Sequence, residues 1–402
     1  MTVLIPNIGS TSFKYRVLDV PEEGPSAASG EPSKETVLAL GRVERIGQAG
    51  CECADYPAAI RKCIGEIVGE GKLKSLDEIA AVGFKAVHTG PLNAPQIVDD
   101  AFLEAMEEFS FLAPAHNPPY IAAMKAFRQE LPSVPLVAVM EPFPYRFMDE
   151  AATTYAVPYE WRTEHGIRRY GFHGASHRAA CERAQAVLGR TNLRHISCHL
   201  GGSSSVAAFR DGVAMDTSFG ASPQSGLPQN NRVGDIDVFA VLHMMKKLGL
   251  GSDEMAALLG SKSGLAGISG TSGDLRDLDE AAAKGSKRAQ LALDVFVRAI
   301  RHYVGAFLLE LGGVDVVTFS GGIGENSAAI RGAVLKSLIP FGVELDEGLN
   351  ATIKGEGEIT TPRSAAKALV VPANEEMIVA RETVAVVMKA RATAQALVAQ
   401  GR

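Results

Sequence analysis

Histidines lie in three segments of this 402-residue sequence that have loop-like composition, and imidazoles can bind metal ions, move protons or carry positive charge. His116 lies in a proline-rich segment, His173 and His177 share the segment Tyr170–His177, and His199 ends an apolar strand. His173 and His177 have the four-residue spacing of a helical metal pair, but the segment lacks the glutamate of H-E-x-x-H and contains a glycine. We therefore expect no zinc here, and a lone histidine is more often structural.

Two turns of similar form combine glycine with small hydroxyl residues: Asn7-Ile8-Gly9-Ser10-Thr11-Ser12 and His199-Leu200-Gly201-Gly202-Ser203-Ser204. Glycine lets the backbone approach a phosphate chain closely, while serine and threonine donate hydrogen bonds to it. Each turn alone is more often merely a turn. Because the same form recurs between apolar strands, the pair also indicates a duplicated fold with a cleft between its halves, although short glycine turns recur by chance as well.

A third glycine-rich segment, Ser320–Ser327, follows a predicted strand and precedes a predicted helix. That arrangement directs backbone N–H groups and a helix N-terminus at an anion or nucleotide. It is not the dinucleotide motif G-x-G-x-x-G, because Ser327 stands in place of the last glycine, and the sequence contains no P-loop motif. These two common nucleotide-binding folds are therefore disfavoured.

Arg232 lies in the turn-rich segment 226–235, where an arginine is free to bind an anion. A surface salt bridge is an equally good interpretation of that residue. The sequence alone leaves both open.

The elements that position these residues alternate between strands and helices, which favours an α/β fold. The predicted strands are Thr2–Pro6, Phe13–Val20, Ile79–Val87, Val206–Phe209, Val213–Asp216 and Val314–Phe319, with a hairpin turn at Asp211-Gly212. The predicted helices are Ala58–Gly69, Leu275–Leu311, Ala328–Leu338 and Asn374–Val398, and Pro21–Glu35 is predicted to be a surface loop.

Composition narrows the function classes. Apolar residues form 46% of the chain and charged residues 21%, as in an ordinary globular protein of two or three domains. A net charge of −6 provides no basic face, so nucleic acid is not an expected partner. We expect neither a signal peptide nor a membrane span. Five cysteines argue against a disulfide framework and for a reducing compartment, and the Cys51-x-Cys53 pair is interpreted as ordinary thiols rather than a metal site.

Taken in order, seven segments resemble the acetate kinase family over nearly the whole chain. They are Asn7–Lys14, Leu112–Pro119, Tyr170–His177, Asp216–Ser218, Gly234–Asp237, Gly322–Ser327 and Asn374–Glu376. The resemblance implies ATP-dependent phosphorylation of a short-chain carboxylate such as acetate, in a cytoplasmic homodimer. It also implies the duplicated ribonuclease H-like fold of the actin-like ATPases, with lobes 1–144 plus 375–402 and 145–374 and an active site in the cleft between them.

Roles carried over from the resemblance fall into four groups. The catalytic group would be His173, Arg232, Lys85 and Glu141. The group binding ATP or ADP would be Asn7, Ser10, Ser12, Lys14, His199, Gly201, Gly202, Ser203, Asp274, Leu275, Arg276, Gly322, Ile323, Gly324 and Asn326. The carboxylate pocket would contain Val87, Ala115, His116, Phe172 and Pro223. Asn7 and Glu375 would hold Mg²⁺ or Mn²⁺.

The chemistry agrees with such a set of residues. A carboxylate with a pKa of about 4–5 is already ionised at neutral pH, so the nucleophile needs no general base. It needs cations, because one anion must approach another, and Arg232, His173 and Mg²⁺ would provide them.

Several residues depart from the family pattern. Lys85 replaces an arginine of G-H-R-x-V-H-G-G, Glu141 replaces the aspartate of F-D-T-A-F-H, and Ala115 replaces a leucine. An amide is lost at Gly202, and two are gained at Asn230 and Asn231. Lysine keeps the charge of arginine but cannot form the bidentate hydrogen bonds that a guanidinium makes to a carboxylate or phosphate. Two interpretations stay open: a kinase for a bulkier or more polar acid, or a nucleotide-binding homologue with little or no transfer. Pyrophosphate as donor is disfavoured by the Gly322–Asn326 segment.

Overall fold

The computed structural model describes residues 1–9, 12–22, 35–48, 51–69 and 71–399. They form two units, Met1–Arg146 with Asn374–Arg402, and Phe147–Ala373. Ser10 and Thr11 of the first predicted phosphate turn lie outside the described residues, as does most of the predicted loop Pro21–Glu35.

The described strands are β1 Thr2–Ile8, β2 Ser12–Asp19, β3 Thr36–Glu44, β4 Ala81–Ala86, β5 Gln96–Ile97, β6 Leu136–Met140, β7 Arg194–Leu200, β8 Ser204–Arg210, β9 Val213–Thr217, β10 Val316–Ser320, β11 Gly357–Glu358 and β12 Lys367–Val370. The described helices are α1 Tyr56–Gly69, α2 Asp100–Glu108, α3 Asn117–Glu130, α4 Glu150–Thr153, α5 Glu160–Thr163, α6 Gly174–Leu188, α7 Val238–Leu248, α8 Ser252–Ser261, α9 Gly264–Ser269, α10 Leu275–Ala283, α11 Lys287–Glu310, α12 Gly321–Asn326, α13 Ala328–Leu335, α14 Glu347–Thr352 and α15 Glu375–Ala399.

In the described part of the chain each unit contains one sheet, and the two sheets have the same topology. Among the described residues the first sheet has the order β3-β2-β1-β4-β6-β5 and the second, read from its other edge, the order β9-β8-β7-β10-β12-β11. In both, the first three strands form an antiparallel meander, and the first, fourth and sixth strands run parallel. The fifth strand lies antiparallel at the edge in each case. This repetition confirms the duplicated α/β fold predicted from the two glycine turns.

Strand alternation in the second unit separates an apolar face from a polar one. Ile196, Cys198 and Leu200 of β7 join the main hydrophobic core, where helix α11 contributes Phe296 and Ile300. The residues between them on β7, at positions 195, 197 and 199, point to the opposite face, which is covered by α6. A strand buried on both faces thus carries polar side chains on one of them.

Two local predictions are wrong, and one strand is missed. The helix expected over Leu275–Leu311 is two helices, α10 and α11, because the chain turns at Gly285 with a φ of 91° and Ser286 caps the second helix. The glycine turn expected at Gly321–Asn326 is itself the short helix α12. Strand β3 is not anticipated, because its exposed, mixed residues lack a clear alternation. Within the described part of the chain, none of the helices combines the length and hydropathy needed to cross a membrane.

Candidate active site

Lys85, Glu141 and Glu375 form a compact charged cluster in the first unit. Lys85 Nζ lies 2.5 Å from Glu375 Oε2 and 3.2 Å from Glu141 Oε1. Glu141 is buried, and the other two side chains are largely so. Burial alone would lower the pKa of the Lys85 ammonium, but the carboxylates of Glu375 and Glu141 raise it well above its ordinary value. Lys85 therefore stays positively charged between the two carboxyl groups.

Three elements bring this cluster together. Lys85 lies near the end of β4, and Glu141 directly follows the parallel neighbour β6, where its N–H donates to the Ala86 carbonyl at 2.8 Å. Glu375 is the first residue of α15, which packs on β1, β4 and β6. Because parallel strands end at one edge of a sheet, residues distant in sequence meet there.

The first glycine turn ends β1 beside the same set of strands. Asn7 pairs with Lys14 across the β1–β2 hairpin, and the N–H of Gly9 donates to the Ser12 carbonyl at 2.8 Å. Asn7 and Ser12 are half-buried, and Lys14 is exposed. Their roles toward nucleotide and metal remain predictions, and Ser10 lies outside the described residues.

The segment after β4 is fixed by Asn117. The Asn117 side-chain amide donates to the His88 carbonyl at 2.7 Å, and its oxygen accepts from the His88 N–H at 3.2 Å. Val87 is buried, His116 is half-buried at the start of α3, and Ala115 is exposed. These two hydrogen bonds tie the backbone after Val87 to the start of α3. A role of Val87, His116 and Ala115 in an acceptor pocket remains a prediction.

In the second unit the predicted histidines lie together. The rings of His173 and His199 are 4.2 Å apart between centroids, and His173 also contacts the ring of Phe219 at 5.2 Å. His199 Nδ1 is 2.6 Å from Ser176 Oγ. His173 has the left-handed backbone conformation, with φ 56°, at the start of α6. A non-glycine residue seldom adopts that conformation without a constraint from its surroundings.

Arg232 lies beside the second glycine turn, and its partners in the described part of the chain are neutral. Its guanidinium Nη1 is 3.3 to 3.5 Å from Ser203 Oγ, Gln229 Oε1 and the Pro223 carbonyl. No described acidic side chain forms an ion pair with it, and burial lowers the pKa of the guanidinium. The salt-bridge interpretation is therefore not supported within the described residues, and the arginine is placed to receive an anion.

The second glycine turn meets the start of α12. Ser204 Oγ closes the turn by accepting from the Gly201 N–H at 3.1 Å. Gly321 has φ 77° and approaches β7 so closely that a Cβ there would lie 2.6 Å from the Leu200 carbonyl oxygen. Only glycine fits this position. Gly201, Gly202 and Ser203 thus lie next to α12, which carries Gly322, Ile323, Gly324 and Asn326.

Asp274, Leu275 and Arg276 lie at the start of α10, and a close backbone approach links them to the Arg232 segment. A Cβ on Gly273 would lie 2.1 Å from the Asn230 carbonyl oxygen. Arg276 binds the Asp274 carboxylate with both its Nε and Nη2, at 3.0 and 2.6 Å, and lowers the pKa of Asp274 to about 2. The side chain of Leu275 is buried in the core, so only its backbone is placed for ligand contact.

The amide change predicted around Gly202 is compensated locally. The Asn230 N–H donates to the Gly202 carbonyl at 3.2 Å, and a Cβ on Gly202 would lie 3.5 Å from Asn230 Nδ2. The amide gained at Asn230 therefore stands beside the position where an amide is lost. Phe172 and Pro223 are buried in the same unit, and Phe172 packs edge-on against Phe219 at 5.7 Å.

Comparison with known proteins agrees with this geometry. Residues 2–381 match the model of the Acetokinase family. The chain belongs to the acetokinase family. It is a kinase that transfers a phosphoryl group to a carboxylate, as the motifs predict, and the family fold confirms the predicted actin-like ATPase architecture.

The family assignment extends over the full length of known relatives. The chain is 40% identical to the acetate kinase of Geobacillus sp. (strain WCH70), covering 95% of this chain and 98% of that protein. It is 41% identical to the acetate kinase of Desulforamulus reducens, covering 95% and 99%. The crystal structure of Porphyromonas gingivalis acetate kinase aligns with a TM-score of 0.84 at 34% identity, covering 96% and 99%. A propionate kinase from Francisella tularensis aligns with a TM-score of 0.85 at 30% identity, covering 95% and 98%.

Some residues that shape the site are absent from the sequence prediction. Ser176 and Ser205 contact the histidines, and Gln229 contacts both Ser203 and Arg232. Arg331, 1% exposed, donates to the carbonyl oxygens of Gly324 and Glu325 in α12. Ser176 and Gln229 lie within segments that the sequence singled out, whereas Ser205 and Arg331 become neighbours of the site through folding alone.

Proposed function

We propose that this protein phosphorylates acetate with ATP to form acetyl phosphate and ADP, and that the reaction is reversible. The observation that carries the proposal is Arg232, a partly buried cation whose partners among the described residues are all neutral. It lies beside the glycine turn that meets the short glycine-rich helix α12. Such a cation compensates the charge that develops on a transferred phosphoryl group.

Within this proposal, His173 and Arg232 stabilise the phosphoryl group during transfer. His199, the Gly201–Ser203 turn and the backbone of α12 bind the phosphates, and the Asp274–Arg276 segment binds the nucleoside. Support comes from the 4.2 Å contact of His173 with His199 and from the packing of Gly321 against β7. Asn7, Ser12, Lys14 and Ser10 are assigned to the phosphate side of the first unit by the family motif alone.

The first-unit cluster fits a magnesium ion. Mg²⁺ prefers oxygen ligands and is commonly held by one or two protein carboxylates together with substrate phosphates. Glu375 and Glu141 offer carboxylates around a single ammonium. The family motif adds the amide oxygen of Asn7. When bound, the ion would neutralise charge on the nucleotide. Lys85 would bind an anionic oxygen, and its ammonium would hold the two carboxylates close together.

The acceptor is the least constrained part of the proposal. Phe172, Pro223 and Val87 are buried apolar residues suited to a short acyl chain, and Ala115 offers less bulk than the leucine of the family pattern. Because one solved relative is a propionate kinase, propionate is the competing acceptor. Lys85 keeps the positive charge of the arginine it replaces and still contacts the Glu141 carboxylate. Asn230 places an amide beside Gly202, where this chain has lost the amide of the family pattern. Both contacts favour an active kinase over a homologue that has lost transfer.

A hydroxamate assay tests the proposal directly. Purified protein would be incubated with ATP, Mg²⁺ and a panel of acids from formate to butyrate, and acyl phosphate would be trapped as the hydroxamate. We expect turnover with the highest kcat/KM for acetate. Highest kcat/KM for propionate would reassign the acceptor. Nucleotide binding by calorimetry without turnover on any acid would overturn the kinase proposal.

We also propose a homodimer in which α7 contributes to the interface. None of the eleven residues of α7 is buried, and Val238, Phe239, Leu242 and Leu248 are exposed on it, Phe239 at 76%. A contiguous apolar surface of this kind marks an interaction site. Light scattering after gel filtration would show a dimer that Phe239→Asp dissociates. Phe341→Asp, another exposed phenylalanine of the same unit, serves as control, and equal dissociation by both would contradict the assignment to α7.

A cytoplasmic location is part of the proposal. All five cysteines are described and none forms a disulfide, which fits a reducing compartment. Fractionation of cells that produce the protein would test it.

A further inference from the structure

A chain of four side chains runs beneath helix α6 from His173 into the interior. His173 Nδ1 lies 2.8 Å from Ser205 Oγ, and the same oxygen lies 2.8 Å from His177 Nε2. The other nitrogen of that ring, His177 Nδ1, lies 2.8 Å from Ser197 Oγ. The two histidines are one helical turn apart, and the His177 N–H donates to the His173 carbonyl at 2.9 Å.

The inner part of this chain is fully buried. His177, Ser197 and Ser205 are each 0% exposed. Burial, reinforced by His199 and His195, lowers the pKa of His177 well below its ordinary value. His177 is therefore neutral and carries one ring proton. Buried polar groups must be paired, and the contacts with Ser197 and Ser205 satisfy both ring nitrogens of His177.

The number of protons restricts the pattern of donors. Among the described residues, Ser205 Oγ has only the two imidazole nitrogens as hydrogen-bond partners. Since a hydroxyl has one hydrogen, it donates to one ring and accepts from the other. Two patterns remain. Either every proton points inward from His173 Nδ1 toward Ser197, or every proton points outward from Ser197 toward His173 Nδ1.

The two patterns have different consequences for His173. The inward pattern keeps a proton on His173 Nδ1 and is compatible with a neutral or a positively charged ring. The outward pattern requires an unprotonated Nδ1 and so excludes the charged ring. The proposed function, on which this step rests, needs a cationic His173 near the transferred phosphoryl group.

We propose that Ser205 and His177 are positioning residues that hold His173 in the tautomer with the proton on Nδ1. Ser205 accepts from His173 Nδ1–H and donates to His177 Nε2, and His177 Nδ1–H donates to Ser197. The contact also fixes the ring whose backbone is held in the left-handed conformation at the start of α6. His177 acts through Ser205 and does not itself touch substrate.

Nitrogen-15 NMR on the full-length protein, labelled at histidine and free of ligand, tests the tautomer independently of catalysis. We expect protonated Nδ1 and unprotonated Nε2 in His177, and protonated Nδ1 in His173. The opposite tautomer in either ring would overturn the proposal. Because this measurement needs no turnover, it stands even if the proposed reaction fails, and loss of activity in His173→Gln tests that reaction separately.

Kinetics of matched variants test the positioning role. We expect Ser205→Ala to lower kcat by up to about 100-fold through misplacement of His173, with little change in KM for ATP, and Ser205→Thr to restore much of the rate. Thr318→Val is the control, because Thr318 Oγ1 contacts another buried histidine, His195 Nε2, at 2.8 Å, outside this chain of contacts. Equal loss of kcat in Thr318→Val and Ser205→Ala would show a merely structural effect and contradict the proposal.

Discussion

Lys85 and Glu375 are 290 positions apart in the sequence, and their charged atoms meet at 2.5 Å. Glu141 shares the same ammonium at 3.2 Å. Without that ammonium, two largely buried carboxylates would face each other, and both desolvation and repulsion would raise their pKa values. The ion pair between Lys85 and Glu375 therefore stabilises the first unit, in addition to its proposed part in catalysis.

We expect Lys85→Met to lower the free energy of unfolding by about 3 kcal/mol, because it leaves buried carboxylates without their cation. We expect it to lower kcat by at least about 100-fold, because an anion-binding cation is lost. Urea unfolding and the hydroxamate assay measure the two effects. Lys125→Met is the control, since Lys125 pairs with Glu107 at an exposed site. Unchanged stability would show that the cluster contributes little to folding.

A double-mutant cycle tests whether Lys85 and Glu141 compensate each other. Relative to the family pattern, the cation has lost reach while its partner carboxylate has gained a methylene, and the two still meet. We expect Lys85→Arg and Glu141→Asp each to lower kcat/KM, and the double variant to recover part of the loss. A coupling of about 1 kcal/mol is expected for residues in contact. Additive losses would mean that Lys85 and Glu141 do not compensate each other.

We expect Arg232 to be important for catalysis and to contribute little to the free energy of unfolding. It forms no ion pair with a described residue, and its hydrogen bonds are long, at 3.3 to 3.5 Å. We expect Arg232→Ala to lower kcat by about 100- to 1,000-fold. Arg232→Lys should recover part of this loss, because it keeps the charge without the planar fork. Thermal unfolding should change little in both variants. A large loss of stability with modest loss of kcat would assign Arg232 a structural role.

The repeated glycine turns in the sequence predict the fold, and its short motifs predict the site. The two glycine turns each end the first strand of a sheet, and both sheets then follow the same order. Local patterns also located α1, β8, β9 and α15 closely, within about two residues of their observed bounds. What the sequence did not provide were contacts between distant positions, such as Ser205 with His173 or Arg331 with Gly324. Serine and arginine are common surface residues, and nothing in their neighbours signals complete burial.

Stability should fall in mild acid because two buried histidines resist protonation. Burial lowers the pKa of His195 to about 3, and burial with neighbouring histidines lowers that of His177 well below its ordinary value. Below pH 6.5 the unfolded chain takes up these protons and the native chain does not, so stability decreases as pH falls from about 6.5 toward these lowered pKa values.

The contribution of His195 at pH 5 should be about 2 kcal/mol relative to neutral pH. Urea unfolding at pH 7.5 and pH 5 measures the difference in wild type and in His195→Gln, which can keep a polar contact with Thr318. We expect a smaller pH dependence in the variant. An identical pH dependence would show that His195 is not protonated on unfolding in this range.

Arg331 should control nucleotide affinity without touching nucleotide. It is almost fully buried in α13, and its guanidinium donates to Gly324 and Glu325 carbonyls at 2.9 and 2.8 Å and to the Asn350 side chain and carbonyl at 2.8 and 2.7 Å. These bonds fix the C-terminal end of α12, whose N-terminal end meets the Gly201–Ser203 turn.

We expect Arg331→Met to remove the donor from four acceptors, three of them buried, which lowers the free energy of unfolding by about 3 kcal/mol and raises KM for ATP. The chemical step should be less affected, because His173 and Arg232 lie on other segments. Arg363→Met is the matched control, since Arg363 is exposed and pairs with Glu344 at 3.5 Å. Steady-state kinetics at saturating acetate would separate KM from kcat, and nucleotide binding by calorimetry would check the affinity. A fall in kcat with unchanged affinity for ATP would contradict the role of Arg331 in holding α12.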